Sequence, residues 1–391
     1  MDPAVVTLCV LAVACFLFVT ELIPLAVTAM AACTALGILG VLPSKQVYAG
    51  LSNSTVVLFG GMFVIGAAMF RTGLAQAIGV AVVKKAGTNE VPLMGAVMLV
   101  TIVLSSVSSN TGTVACLMPV IIGICQAAKI APSRQLMPLA IAANVGGTIT
   151  MIGTPPNVIV TGALSAAGLP TFGFFEFAYI GIPLSIIVFF FTLFIGRHLL
   201  PKNDIGEMDE EALKEAAEEA GAGGDDEPKS ATKMWISGLI MIGVVICMAL
   251  DLKTLPLQTA AVTGAILCVI TGCLKEKEAY AGIDWVTIFL FAGMLSVATA
   301  MEKTGAGKLI ADAVVGSMGE HPNAVVLCAV LYLISNVLTQ FMSNTAAAAL
   351  LAPIGISIAQ SIGADPKPVL MAIGIAASMA FATPMATCLL Y

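Results

Sequence analysis

Two stretches of this chain, 91–128 and 323–364, are long and apolar enough to enter a lipid bilayer and return. Neither contains a charged side chain, and each carries the triplet Ser-Asn-Thr near its middle. A lipid-facing helix has no use for a hydroxyl, a carboxamide and a second hydroxyl in succession, because in hydrocarbon every polar group must find a partner. Ser109-Asn110-Thr111 and Ser343-Asn344-Thr345 therefore read as the tips of two re-entrant hairpins, turning back where protein or water covers them. Each triplet is followed, in the next apolar stretch, by a helix breaker: Gly153-Thr154-Pro155-Pro156 in the first half and Ala382-Thr383-Pro384 in the second.

The rest of the chain has the composition that such hairpins need around them. With 59% hydrophobic residues, 10% charged residues and a mean hydropathy of +1.02, most of it must face lipid or other buried helices. Further spanning runs are expected at 3–20, 22–42, 54–70, 136–165, 176–200, 234–250, 256–274, 286–301 and 368–390, which makes the fold class an all-α polytopic membrane protein. Residues 74–90, with Lys84 and Lys85, read as an interfacial helix, and the acidic stretch 201–233 as an aqueous linker with a short helix at 207–220. Eight of the ten cysteines (Cys9, Cys15, Cys33, Cys116, Cys125, Cys247, Cys268, Cys328) lie in apolar runs and read as packing, not disulfides. Two histidines and no cluster of metal-ligating residues leave no zinc site or nucleophile triad, so nothing points to an enzyme.

The two halves repeat. Tyr48-Ala49-Gly50 matches Tyr280-Ala281-Gly282, Phe59 and Gly61-Met62 match Phe291 and Gly293-Met294, and Thr72-Gly73 matches Thr304-Gly305, all at a shift of 232. The triplets are 343 − 109 = 234 apart and the Thr-Pro steps 383 − 154 = 229 apart. A near-constant shift across five markers indicates duplication, with a first repeat at 1–200, the linker 201–233 and a second repeat at 234–391. Spans 3–20, 22–42, 54–70, 136–165 and 176–200 make the first repeat cross an odd number of times, so the second is inverted relative to it. With residue 1 outside, twelve Lys and Arg fall in inner loops and five in outer ones, the positive-inside distribution of a multi-pass cell-membrane protein. The internal symmetry leaves the helix ending at Leu200 without a counterpart after Thr383, so a last helix is expected to be missing.

Half-helix N-termini carry partial positive charge and attract anions, while C-terminal carbonyls coordinate small cations, so one hairpin tip can hold both. Pro155-Pro156 cannot lie inside a continuous helix, so 136–165 is expected to break near Gly153; Pro384 does the same to 368–390. Two tips and two broken helices together predict a cradle near the bilayer middle, related by a pseudo-two-fold axis. The tip stretches contain neither Lys nor Arg, so the charge of a dianion there must be offset by bound cations and helix ends. This favours sodium coupling over exchange. Packing is the ordinary reading of any single Ser, Thr or Asn in a membrane helix. Repetition of the whole ensemble overrides it for the triplets, and less so for Ser106, Ser108 and Asn144. Glu21 and Glu176 read as interfacial.

The paired Ser-Asn-Thr tips and the run Ile152-Gly153-Thr154-Pro155-Pro156-Asn157 resemble the divalent anion:sodium symporter family, which includes sodium-coupled dicarboxylate, citrate and sulfate carriers. The resemblance implies a first sodium site at Ser105, Ser109, Asn110 and the Gly153 backbone, and a mirror site at Thr339, Asn344 and the backbone of Met342 and Ala382. It implies substrate contacts from Ser109, Asn110, Thr111, Thr154 and Pro155, and from Ser343, Asn344, Thr345, Thr383 and Pro384. It further implies a homodimer working as an elevator-type transporter, with helices 3–42 and 234–274 in the scaffold. The second half departs from the pattern at Met385-Ala386, where the first has Pro156-Asn157. The expected function is symport of sodium with a small divalent anion, foremost a C4-dicarboxylate such as succinate, with the bilayer and no nucleic acid as partners. The alternatives are a sulfate or other inorganic-oxyanion carrier on the same fold, or a sodium-independent dicarboxylate exchanger.

Overall fold

A computed structural model describes residues 2–87, 89–128, 130–200, 230–250, 255–318 and 323–382. The expected linker helix at 207–220 and the Thr383-Pro384 step lie outside them. Every regular element among the described residues is helical. The first half contains α1 (Pro3–Thr20), α2 (Leu25–Ile38), α3 (Ser44–Val47), α4 (Ser54–Arg71), α5 (Leu74–Ala86), α6 (Glu90–Val107), α7 (Asn110–Ala128), α8 (Ser133–Gly147), α9 (Pro155–Ala166) and α10 (Ala178–Phe191), the last continued by a π turn over Thr192–Gly196. The second contains α11 (Ala231–Ala249), α12 (Leu257–Ile270), α13 (Glu276–Ala281), α14 (Trp285–Thr304), α15 (Ala306–Met318), α16 (Ala324–Leu338), α17 (Asn344–Ser361) and α18 (Pro366–Ala377). Six of the helices are long and apolar enough to cross a membrane by themselves.

The repeat found in the sequence recurs helix by helix. Both ends of α2 and α12 differ by 257 − 25 = 232, as do both ends of α5 and α15. The turn before α5 uses Gly73 at φ 80° and the turn before α15 uses Gly305 at φ 74°, a left-handed conformation that a side chain resists. The hairpin arms start 324 − 90 = 234 and 344 − 110 = 234 apart.

The described residues form two compact units, one of 2–60, 155–172 and 284–382, the other of 61–154 and 173–283. Each draws on both halves of the chain, and each contains the same close crossing of small residues. In the second unit a Cβ on Gly61 of α4 would lie 2.8 Å from the Ala261 carbonyl carbon of α12; in the first, a Cβ on Gly293 of α14 would lie 2.7 Å from the same atom of Ala29 of α2. These pairs match under the 232 shift, and only glycine lets the two backbones touch. The polar pairs follow suit: Arg71 Nη2 to Glu278 Oε1 at 2.7 Å in one unit, Lys303 Nζ to Gln46 Oε1 at 2.6 Å in the other.

Pro155 and Pro156 begin α9, where the missing N–H groups are ones that a helix start leaves unpaired in any case. The expected break near Gly153 is an interruption of 136–165 over 148–154, between the end of α8 at Gly147 and the start of α9 at Pro155, and at its start Thr148 Oγ1 turns back to Val145 O at 2.7 Å. All cysteines among the described residues are free. Glu176, near a span end, accepts the Gly173 N–H at 2.9 Å.

Candidate functional site at the hairpin tips

The first tip is built by close approach of α6 and α8. A Cβ on Gly146 would lie 2.6 Å from Ile102 O and 2.7 Å from Ile102 Cα, so nothing larger than glycine fits. This contact brings Ala143 O of α8 within 2.7 Å of the Ser105 hydroxyl on α6. The same hydroxyl lies 2.6 Å from Oδ1 of Asn110, the first residue of α7. Asn110 is oriented from its other side, where Nδ2 donates to Asn144 Oδ1 at 3.3 Å. A Cβ on Gly147 would collide with Asn110 Oδ1 and approach Gly153 O to 3.0 Å, so the amide oxygen and that carbonyl border one small residue. Ser105, Asn110 and Gly153 are thus brought together around Gly147, with the Ala143 carbonyl added.

The turn between α8 and α9 is held in place by Thr150. Its hydroxyl donates to Ser106 O on the hairpin and accepts from Gly153 N at 3.2 Å. Ser109 caps α7, its Oγ accepting from Gly112 N at 3.2 Å. Thr154 is buried, Pro155 half-buried and Thr111 exposed.

The second tip repeats the cluster. Thr339 Oγ1 lies 2.7 Å from Asn344 Oδ1 and 2.7 Å from Ala377 O. Ser343 caps α17 by accepting from Ala346 N at 3.3 Å. Met342 is buried, and Ala382 N is held by Gln340 Oε1 at 2.9 Å. The members of the two clusters share one shift: 339 − 105, 344 − 110 and 377 − 143 all equal 234. Thr383 and Pro384, expected to contact substrate, lie outside the described residues.

Each cluster sets a hydroxyl, a carboxamide oxygen and a backbone carbonyl within hydrogen-bond distance. Oxygens of these kinds are the ligands a hard cation takes. The cluster also sits at the N-terminus of a long helix, α7 or α17, whose first amides favour negative charge. Oxygens of the kind a cation takes and helix-start amides that favour an anion thus lie together at each tip, and neither hairpin stretch contains a charged side chain.

Sequence reading missed the Ala143 and Ala377 carbonyls, Gln340 and Thr150. The shift of 234, applied beyond the triplets, pairs the two alanines. A carboxamide pair four residues apart, Asn336 and Gln340, in an apolar stretch was the available signal for the third.

The citrate transporter family model matches residues 15–384. The chain belongs to the citrate transporter family. Membership, with the spanning helices, makes it a multi-pass cell-membrane transporter of small anions rather than an enzyme. It is 29% identical to an uncharacterized transporter of Haemophilus influenzae, over 97% of this chain and 82% of the relative. A Staphylococcus saprophyticus relative named sodium-dependent dicarboxylate transporter SdcS is 25% identical, over 95% of this chain and 76% of its own. Among solved structures, the Alcanivorax borkumensis YdaH transporter, described as having an unusual topology, aligns with a TM-score of 0.55 at 14% identity, over 88% of this chain and 78% of that one. This last likeness concerns the fold alone.

Proposed function

We propose that this family member is a secondary symporter that couples sodium entry to uptake of a small divalent anion, foremost a C4-dicarboxylate such as succinate. The observation that carries this reading is the twice-built cluster of hydroxyl, carboxamide and carbonyl oxygens, at Ser105, Asn110 and Ala143 and again at Thr339, Asn344 and Ala377. In this reading each cluster takes one sodium ion, the first with Ser109 and the Gly153 carbonyl, the second with the Met342 and Ala382 carbonyls. The hydroxyls and amides of both triplets, with the two Thr-Pro steps, then meet the anion's oxygens.

The absence of Lys and Arg from 91–128 and 323–364 supports it, since the substrate's charge then has to be offset by co-bound cations and helix ends. The name of the Staphylococcus relative supports it too. The homodimeric elevator implied by the family resemblance belongs to the same proposal.

The test is uptake of labelled succinate and labelled sulfate by the full chain in proteoliposomes, under an inward gradient of sodium or of choline. Succinate should accumulate only with sodium. Accumulation indifferent to sodium overturns the coupling, and sodium-driven uptake of sulfate without succinate replaces the substrate class.

A further inference from the structure

The second tip holds two carboxamides with no counterpart in the first. Asn336, in the last turn of α16, and Gln340, in the tip itself, both reach the segment that follows α18. Asn336 Nδ2 donates to Met379 O at 3.2 Å. Gln340 Nε2 donates to Met379 O at 3.3 Å and to Asn336 O at 3.1 Å, while its Oε1 accepts from Ala382 N at 2.9 Å. Since α18 ends at Ala377, the Met379 carbonyl and the Ala382 N–H lie past its regular hydrogen-bond ladder, and a carboxamide can satisfy a carbonyl and an N–H at once. Under the 234 shift the corresponding first-half residues are Ile102 and Ser106, neither of which has such a group.

Resting on the sodium reading above, we propose that Gln340 is a positioning residue of the second cation site. By holding Met379 O and Ala382 N together it fixes the course of 378–382, and with it the Ala377 and Ala382 carbonyls that complete the oxygen set around Thr339 and Asn344. In the first half the same task falls to Thr150, which belongs to the turn and reaches back to the hairpin. The direction of support is reversed, so the two cation sites are adjustable one at a time.

The experiment titrates sodium alone, with choline as the ionic control, against thermal unfolding of the purified full chain, and measures sodium and succinate dependence of uptake in parallel. Gln340→Met keeps the side-chain volume and removes the hydrogen bonds, and Gln340→Ala is the second variant. Both should raise the half-saturating sodium concentration roughly tenfold. Half-saturating succinate at saturating sodium should stay within about twofold, because the anion's own contacts are intact. Thr339→Ala and Asn344→Ala separate the levels of the argument. If they raise the sodium requirement and Gln340→Met does not, the positioning role is wrong and the cation site stands. If they too leave it unchanged, the sodium reading itself fails. A fall in unfolding temperature with an unaltered sodium titration would make Gln340 a packing residue only.

Discussion

At the first hairpin tip Ser105 stands 2.6 Å from Asn110 Oδ1 and 2.7 Å from Ala143 O; at the second, Thr339 stands 2.7 Å from both Asn344 Oδ1 and Ala377 O. The surroundings do not match in this way. Asn144, which orients Asn110, corresponds to Ser378, whose hydroxyl turns back to Gly374 O at 3.1 Å. Ser108, buried with a hydroxyl that has no partner among the described residues, corresponds to Met342. Gly147, wedged against Asn110, corresponds to Phe381, which lies beyond the end of α18. The two distances from the hydroxyl agree to within 0.1 Å and the Ser109 and Ser343 caps are shared, while the neighbours Asn144, Ser108 and Gly147 are exchanged. The shared geometry therefore comes from the cluster's own hydrogen bonds and not from any one of the exchanged neighbours.

The largest effects should come from the groups that are common to both tips. Asn110→Ala and Asn344→Ala each remove an amide oxygen from the proposed cation site, and each should raise the sodium needed for half-maximal uptake by roughly 100-fold or more. Sodium titrations of the two variants, run side by side, check the equivalence. If one variant transports normally, the tips are alike in shape and unlike in role.

Next come the glycines that have no counterpart. Gly147→Ala places a methyl group against Asn110 Oδ1 and 3.0 Å from Gly153 O, an overpacking expected to cost about 1–3 kcal/mol. The strain falls on the cluster, so sodium affinity should drop along with thermal stability. Sodium-dependent thermal shifts separate the two, and wild-type sodium affinity in a destabilised Gly147→Ala would show that the Asn110 amide is not held by this contact.

Thr150→Val deletes the hydroxyl that joins Ser106 O to Gly153 N and leaves the volume almost unchanged. About 1 kcal/mol of stability should be lost. The sodium dependence should become biphasic, one site weakened and the other as before, since Gln340 supports the second tip independently. A uniform shift of the whole titration would contradict separate supports.

How much of this the sequence reveals depends on which atoms do the work. Triplets, Thr-Pro steps and the shift are legible because they are side-chain identities in an apolar background, where a polar residue stands out. The Gly146 crossing and the Ala143 and Ala377 carbonyls are not, because any residue carries a carbonyl and alanine says nothing about where its own points. The break before Pro155 is legible as a break, since two prolines forbid a continuous helix. Its extent back to Thr148 is not, since no proline marks that end. Gln340 was visible as a carboxamide in an apolar stretch, but two of its partners, Met379 O and Ala382 N, lie about forty residues on, in a turn whose shape only the folded chain defines.

The smallest effect tests the repeat outside the tips. Arg71 with Glu278 and Lys303 with Gln46 occupy matching positions, yet one pair is ionic and the other ends on a neutral amide. The Lys275 backbone N–H, which donates to Glu278 Oε2 at 2.8 Å, holds that carboxyl below its usual range, and the Arg71 guanidinium lowers it further. A carboxylate whose pKa is depressed by folding contributes stability that is complete above its unfolded pKa and disappears as the pH falls through the folded value. The pair is partly solvated, so Glu278→Gln should cost no more than about 1 kcal/mol near neutral pH and nothing once the wild-type carboxyl is protonated. Unfolding temperatures of wild type and Glu278→Gln, compared across the acid limb, should therefore converge on acidification. Gln46→Glu, which gives the other pair a titratable partner for Lys303, should do the reverse and add a stabilisation that acid removes. If Gln46→Glu leaves the acid limb unmoved, the two positions are related by sequence shift and helix register but not by local environment, and the repeat has diverged further at its ends than at its tips.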